Sequence, residues 1–285
     1  MSESRFAGLS HQRVVEGYGA RLAISAPDAD SLARLVAGLP TGWELDRTGG
    51  DPGSTGWRIT VSSHDTAGYV VREETLVDTD SSGAWPPVSA SMSCEDLEHV
   101  AGFIQVRIRR HVGFHTRDRV FIHAGVVAHR GRAIVIPGHS FSGKSTLVAA
   151  LVRAGAVYYS DEYAVLDEQA RVNPYLEPLS LRNGDRGRPR PVSLESLAGT
   201  SGDGPAAIGM VAVTRYSPGS EWSPRRCSTG EGVVALMEHA VAARNVPGET
   251  LEIMRRGVSD ALVLEGERGE ADKTAAALLE TADYG

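Results

Sequence analysis

Gly138-His139-Ser140-Phe141-Ser142-Gly143-Lys144-Ser145 satisfies G-x-x-x-x-G-K-[ST] at every fixed position, and each fixed residue type has a chemical reason to be there. Glycines without a Cβ let the main chain wrap closely, so that its N–H groups converge on an anion. The lysine brings a compact positive charge, and the serine a hydroxyl that Mg²⁺ can take as a ligand. The apolar run Ala133–Ile136 ahead of the motif predicts a strand. Behind it, Leu147, Val148 and Leu151 predict an amphipathic helix over Lys144–Ala154, whose N-terminal dipole adds to the same point. The expected ligand is the phosphate chain of a nucleoside triphosphate. It would be held by Gly138, His139, Ser140, Phe141, Ser142, Gly143, Lys144, Ser145 and Thr146, with the His139 ring turned to solvent.

Beyond the helix, Tyr158-Tyr159-Ser160-Asp161-Glu162 places two carboxylates at the end of a short strand, Asp161 following Lys144 by seventeen residues. A helix of about eleven residues and one turn is enough to return the chain to the sheet. The strand is therefore expected beside the P-loop strand, its end aimed at the terminal phosphate. Adjacent strand residues face opposite ways, so the two acids should have different duties, one toward a metal and the other toward an acceptor.

This arrangement resembles the catalytic domain of HPr kinase/phosphorylase and the wider set of HPr kinase-related proteins. The resemblance covers Val120–Arg182, and the rest only in general layout. Three elements carry it: His123-Ala124-Gly125 ahead of the P-loop strand, the loop itself against the family's G-x-S-G-x-G-K-S, and the acid pair at this spacing. It implies an α/β fold of the HPr kinase/PEP carboxykinase type, with ATP and Mg²⁺ as cofactors. Asp161 would be the catalytic acid/base, Glu162 would bind the metal with Ser145, and His123 would lie close to the reacting phosphate. Arg182, in Pro178-Leu179-Ser180-Leu181-Arg182, matches a downstream active-site arginine. The implied activity is transfer of the γ-phosphoryl group to a hydroxyl acceptor: a serine of a peptide or protein, including a precursor peptide in a modification pathway, or a small molecule.

The sequence also departs from the family. Phe141 stands where the loop has glycine, which stiffens the loop or sets an aromatic ring beside the nucleotide, and Glu162 stands where the family has aspartate. The element Glu-(Ile/Val)-Arg-Gly, tied to action on HPr, is not recognisable, so HPr itself is not the expected acceptor. Two other readings stand beside the kinase. One is a nucleotide-responsive regulatory protein, which the Phe141 and Glu162 departures favour. The other is a plain NTPase or transport ATPase, against which the closeness of the acids and the lack of an LSGGQ-like segment both count.

The remaining sequence must position this constellation. The 285 residues suit two modest domains, and a net charge of −7 argues against nucleic acid as a partner. No stretch of about eighteen apolar residues occurs, and the N-terminal MSESRFAGLSHQR lacks the apolar core of a signal peptide. No membrane partner is expected, the expected location is cytoplasmic, and homo-oligomerisation stays open. Cys94 and Cys227 read as two reduced structural thiols.

Residues 1–115 read as a small α+β accessory domain. Strand formers fill Arg13–Ser25, Trp57–Val61 and Tyr69–Glu73, and helices are expected over Asp28–Leu39 and Cys94–His111, the second opened by Ser93 and Asp96 as a capping box. Its basic end, Arg107, Arg109, Arg110, His111, His115, Arg117 and Arg119, reads as a solvated face, with a docking surface for an acidic partner as the sharper alternative. Residues 116–285 read as the nucleotide domain. Val120–Ala128 and Arg132–Pro137 form a hairpin about His129-Arg130-Gly131, followed by strands at Ala156–Ser160, Tyr163–Leu166, Ile208–Tyr216 and near Ala261–Leu264. Helices are expected over Glu231–Arg244 and Ala271–Thr281. Arg182–Gly204, rich in Gly, Pro and Arg, reads as a mobile loop or insertion; its Arg186, Arg188 and Arg190 suit an anion grip and a free surface equally.

Overall fold

A computed structural model describes residues 11–40, 42–47, 55–64, 68–75, 89–115, 119–139, 141–181, 190–241 and 247–284. The chain is mixed α/β and divides into two compact units, Met1–Thr116 and Arg117–Gly285. Among the described residues no helix is long and apolar enough to cross a membrane. Cys94 and Cys227 are both free thiols.

In the first unit, β1 (His11–Gly17) and β2 (Ala20–Ala26) form a hairpin through Tyr18-Gly19, both at positive φ as a two-residue turn of this hand requires. Helix α1 (Ala29–Ala37) starts where the Asp28 carboxylate accepts the Ser31 N–H at 2.7 Å. After β3 (Glu44–Leu45) come β4 (Trp57–His64), β5 (Gly68–Thr75), β6 (Ser89–Cys94) and α2 (Leu97–His115), the strands ordered β3-β1-β2-β4-β5-β6 in one sheet.

Two expectations change here. The carboxylate of Asp96, rather than Ser93, caps α2 by accepting the His99 N–H at 2.9 Å, because the helix begins only at Leu97. Nor is the basic end of α2 a uniformly solvated face. Arg107 pairs with the buried Glu73, and the His111 ring stacks on Trp57 at 3.7 Å between centroids.

The second unit is built on a hairpin of β7 (Arg119–His129) and β8 (Arg132–Pro137), whose turn residues Arg130 and Gly131 both have positive φ. Helix α3 (Lys144–Arg153) follows, then β9 (Val157–Ser160), β10 (Tyr163–Asp167), β11 (Arg171–Asn173), β12 (Leu179–Leu181) and β13 (Arg190–Val192). The chain continues through β14 (Ala206–Tyr216), β15 (Arg225–Cys227), α4 (Thr229–Met237), α5 (Pro247–Val258), β16 (Leu262–Arg268) and α6 (Ala271–Tyr284). Strands β8, β14 and β16 run parallel. β11 bonds to both β10 and β14, so the path β10-β7-β8-β14-β11 closes on itself.

Side-chain alternation splits the strands between two apolar layers. Val120, Ile122, Val126, Ala133 and Val135 face one core with α4 and α5 residues such as Leu236 and Met254. Val127, Ile134 and Ile136 face the other, with Leu147, Leu151 and Leu278 of α3 and α6.

The strand carrying the acids does not lie beside the P-loop strand. β8 is already bonded on one side by β7 and on the other by β14, so the chain leaving α3 takes the outer side of β7. There β9 and β10 are two halves of one antiparallel partner, interrupted at Asp161-Glu162 opposite Ala124-Gly125. Much of the region expected as a mobile loop is also held. β13 pairs with β12, Glu195–Leu197 form a 3-10 turn, and Tyr158 exchanges main-chain hydrogen bonds of 2.8 Å with Thr200 and Gly202. Helix α4 stops at Met237, short of the expected end, and α5 had no sequence counterpart.

Gly125 is what lets α3 lie against β7. A Cβ there would stand 2.5 Å from Val148 Cγ2, and a buried valine on a helix has one good rotamer to offer. We expect Gly125→Ala to cost about 1–3 kcal/mol in urea unfolding. Gly125→Ala/Val148→Ala should be less destabilised than the sum of the single changes; simple additivity would show that the contact is not tight.

Candidate functional site

The motif folds as a tight loop between β8 and α3. Gly138 N–H still donates to the His123 carbonyl at 3.2 Å, which ties the loop's first residue to β7, and Ser142 N–H turns back to the His139 carbonyl at 3.3 Å. A Cβ on Gly138 would meet Ser142 Oγ at 2.9 Å. Gly143, the N-cap of α3, has φ +82°, a conformation that glycine adopts without cost. No side chain caps α3 and no acid occupies its first turn, so its leading N–H groups keep their capacity for an anion. Phe141 also has positive φ, 70°, and its ring is 79% exposed. A non-glycine residue in this region costs about 1–2 kcal/mol, so Phe141 stores strain at the loop tip.

Lys144 is buried, and its ammonium donates to the carbonyls of Gly138 at 2.7 Å and His139 at 2.8 Å. Burial lowers its pKa, while the nearby Glu162 and Asp161 oppose that shift. The Ser145 hydroxyl lies beside Asp161 and favours its ionised form, and the Thr146 side chain lies at the surface. Ser142 Oγ is buried without a hydrogen-bond partner, a hydroxyl available to a ligand of the loop.

The interruption between β9 and β10 turns both acids toward this loop. Asp161, 8% exposed, takes hydrogen bonds from Ser180 N–H at 3.3 Å and from the Tyr158 hydroxyl at 3.3 Å. The Tyr158 hydroxyl also donates to the Glu177 carbonyl at 2.7 Å, and burial holds that phenol protonated. Burial raises the Asp161 pKa above its ordinary 3.8, and the neighbouring Glu162 adds to the shift against the hydrogen bond from Ser180 and the nearby Ser145 hydroxyl. Glu162 turns the other way, its Oε1 3.7 Å from His123 Nε2. His123 is half-buried, and burial together with Lys144 and His139 lowers its pKa.

Lys144, Ser145, Asp161, Glu162 and His123 therefore gather at the C-terminal end of β8, opposite the middle of β7. Ser140 and Arg182 lie outside the described residues. The His139 ring is exposed, but it is not simply turned to solvent. It packs edge-to-face on His239, with ring centroids 4.4 Å apart.

His239 was missed because the sequence pattern runs α4 on through it. After α4 ends, the chain instead continues along β7 where β8 departs: His123 N–H donates to the His239 carbonyl at 2.8 Å and Val241 N–H to the Phe121 carbonyl at 2.9 Å. Burial lowers the His239 pKa, as do His139, Lys144 and His123.

The residues fit a polyphosphate: a glycine cradle, an uncapped helix start, a buried ammonium and an orphaned hydroxyl. For Mg²⁺ the donors are the Ser145 hydroxyl and the two carboxylates. No three His, Cys, Asp or Glu side chains among the described residues form a cation site by themselves. No protein-family model and no curated protein matches this chain.

A carboxyl whose pKa is raised on folding binds its proton more tightly in the native state. Its contribution to stability is full below the ordinary carboxylate range and is lost as pH rises through the raised value. At neutral pH, Asp161→Asn should thus melt about 2–4 °C above wild type by calorimetry, the gap closing as pH falls toward about 4. A lower Tm for the variant at neutral pH would contradict the burial argument.

Proposed function

We propose that the chain is an ATP- and Mg²⁺-dependent kinase of the HPr kinase-like type that transfers the γ-phosphoryl group to a hydroxyl. The observation that carries this reading is the convergence on one P-loop of a buried lysine, a serine hydroxyl and a buried carboxylate beside that hydroxyl. Phosphoryl transfer asks a protein mainly for positioning and for charge to offset the phosphates. When bound, Mg·ATP supplies the transferable phosphoryl group and the neutralising divalent charge.

The chain's own residues do the rest. The loop amides and the start of α3 bind phosphate oxygens, and Lys144, with a third N–H beyond the two on loop carbonyls, adds its charge. Ser145 and Glu162 hold the metal. Asp161 takes the proton of the acceptor hydroxyl, and its raised pKa brings it closer to the operating pH, where a base works best. His123, favoured neutral by its surroundings, hydrogen-bonds near the reacting group, with Glu162 beside it. The acceptor is a serine of a peptide or protein, or a small hydroxyl compound, and not HPr.

Lys144→Ala is expected to bind ATP roughly ten- to a hundredfold more weakly, the range of a charged hydrogen-bonding group. Calorimetric titration checks this, and unchanged affinity would remove the phosphate assignment. In single-turnover transfer, Asp161→Asn should fall about a hundred- to ten-thousandfold while Mg·ATP affinity changes far less. The wild-type rate should drop as pH falls through a pKa lifted above the usual carboxylate range, and that limb should vanish in the variant. Glu162→Gln should instead lose activity that excess Mg²⁺ partly restores. Wild-type protein that binds ATP and transfers nothing would leave a nucleotide-responsive binding protein.

A further inference from the structure

Arg268 ends β16, the strand parallel to β14, which is itself parallel to the P-loop strand β8. It is 2% exposed, one of the largest fully buried side chains of the chain. Its Nη2 donates to the Gly143 carbonyl at 3.0 Å and its Nη1 to the Gly269 carbonyl at 3.1 Å, while Nε is buried without a partner. The Tyr216 ring, its register partner on β14, lies 5.3 Å from the guanidinium carbon. No ion pair among the described residues includes Arg268: two carbonyls and a ring face lie against it, and Glu270, which favours its charge, stands beyond ion-pair distance. Burial depresses its pKa, yet an arginine stays charged.

A buried cation with no carboxylate at ion-pair distance is costly, and stability alone does not account for it. Its position suggests what does. The Gly143 carbonyl belongs to the peptide whose N–H is that of Lys144, and in a trans peptide the two point in opposite directions. A guanidinium on this carbonyl, which also accepts the Leu147 N–H at 3.1 Å, helps fix the peptide plane and polarises the N–H, which at a helix start has no intrahelical acceptor. Gly143 is matched to this contact: a Cβ there would stand 2.5 Å from Arg268 Nη2.

We propose that Arg268 is a positioning residue of the phosphate site: it sets the Gly143–Lys144 peptide for an anion, and the polyphosphate of the nucleotide adds counter-charge to the distant carboxylate of Glu270. This rests on the reading of Gly138–Ser145 as a nucleotide phosphate site. Magnesium-free ADP is the probe, so that Asp161 and Glu162 are not tested through a metal. Titrations are run well below each variant's Tm, where a purely structural role would leave the affinity of the folded protein unchanged.

Arg268→Gln, neutral but still a donor, should bind ADP about ten- to a hundredfold more weakly than wild type. Arg268→Lys keeps the charge but not the two-pronged grip, and should lose about three- to tenfold. ADP should also raise the Tm of wild type more than that of either variant. Wild-type affinity in folded Arg268→Gln would overturn the proposal while leaving the P-loop reading intact. Should Arg268→Gln fail to fold, wild-type affinity in Arg268→Lys would overturn it equally. No ADP binding by the wild-type protein would remove the P-loop reading and this inference with it.

Discussion

Helix α3 lies close against β7 because residue 125 carries no side chain, and the rest of the site depends on that approach. Val148 occupies the space a Cβ would fill, which brings the first turn of α3, and Lys144 with it, over the middle of β7. The outer side of the same strand receives β9 and β10. Their pairing breaks opposite Ala124-Gly125, so the chain there is free to turn Asp161 toward Ser145 and Glu162 toward His123. One strand thus relates the phosphate loop on one side to both acids on the other.

The electrostatics of the site are poised rather than paired. Lys144 is bonded to main-chain carbonyls instead of a carboxylate, and burial raises Asp161 while lowering Lys144, His123 and His239. Each of these shifts runs against the charged form, as expected of groups moved out of water without full compensation. Such a cluster is expensive to bury, and the proposed transfer chemistry would give that cost a use. The strained backbone at Phe141 belongs to the same pattern of local cost concentrated at a working loop.

Local pattern made the loop and its flanking strand and helix legible, because glycine, lysine and apolar periodicity act within a few residues. The β7–β8 hairpin was legible for the same reason, through Arg130-Gly131. What escaped depends on distant pairing. That β8 is already bonded on both edges decides where β9 goes, and one partner, β14, lies some seventy residues on. His239 looked like part of a helix until β8 left an open stretch of β7 for its segment to fill. Arg268 carries no local signal at all; its meaning comes from β16 running parallel to β14 and ending near the loop. The capping of α2 by Asp96 instead of Ser93 is a smaller miss, a matter of where the helix begins.

If the acids beside this loop serve transfer to a hydroxyl and not merely nucleotide binding, phosphorus NMR will register it: wild-type protein is given ATP and Mg²⁺ and offered free serine, serine-containing peptides and a small-molecule fraction of a cell extract. A new phosphomonoester resonance is expected to grow in step with ADP in at least one mixture. ATP left intact in all of them, or converted only to ADP and inorganic phosphate, would contradict it.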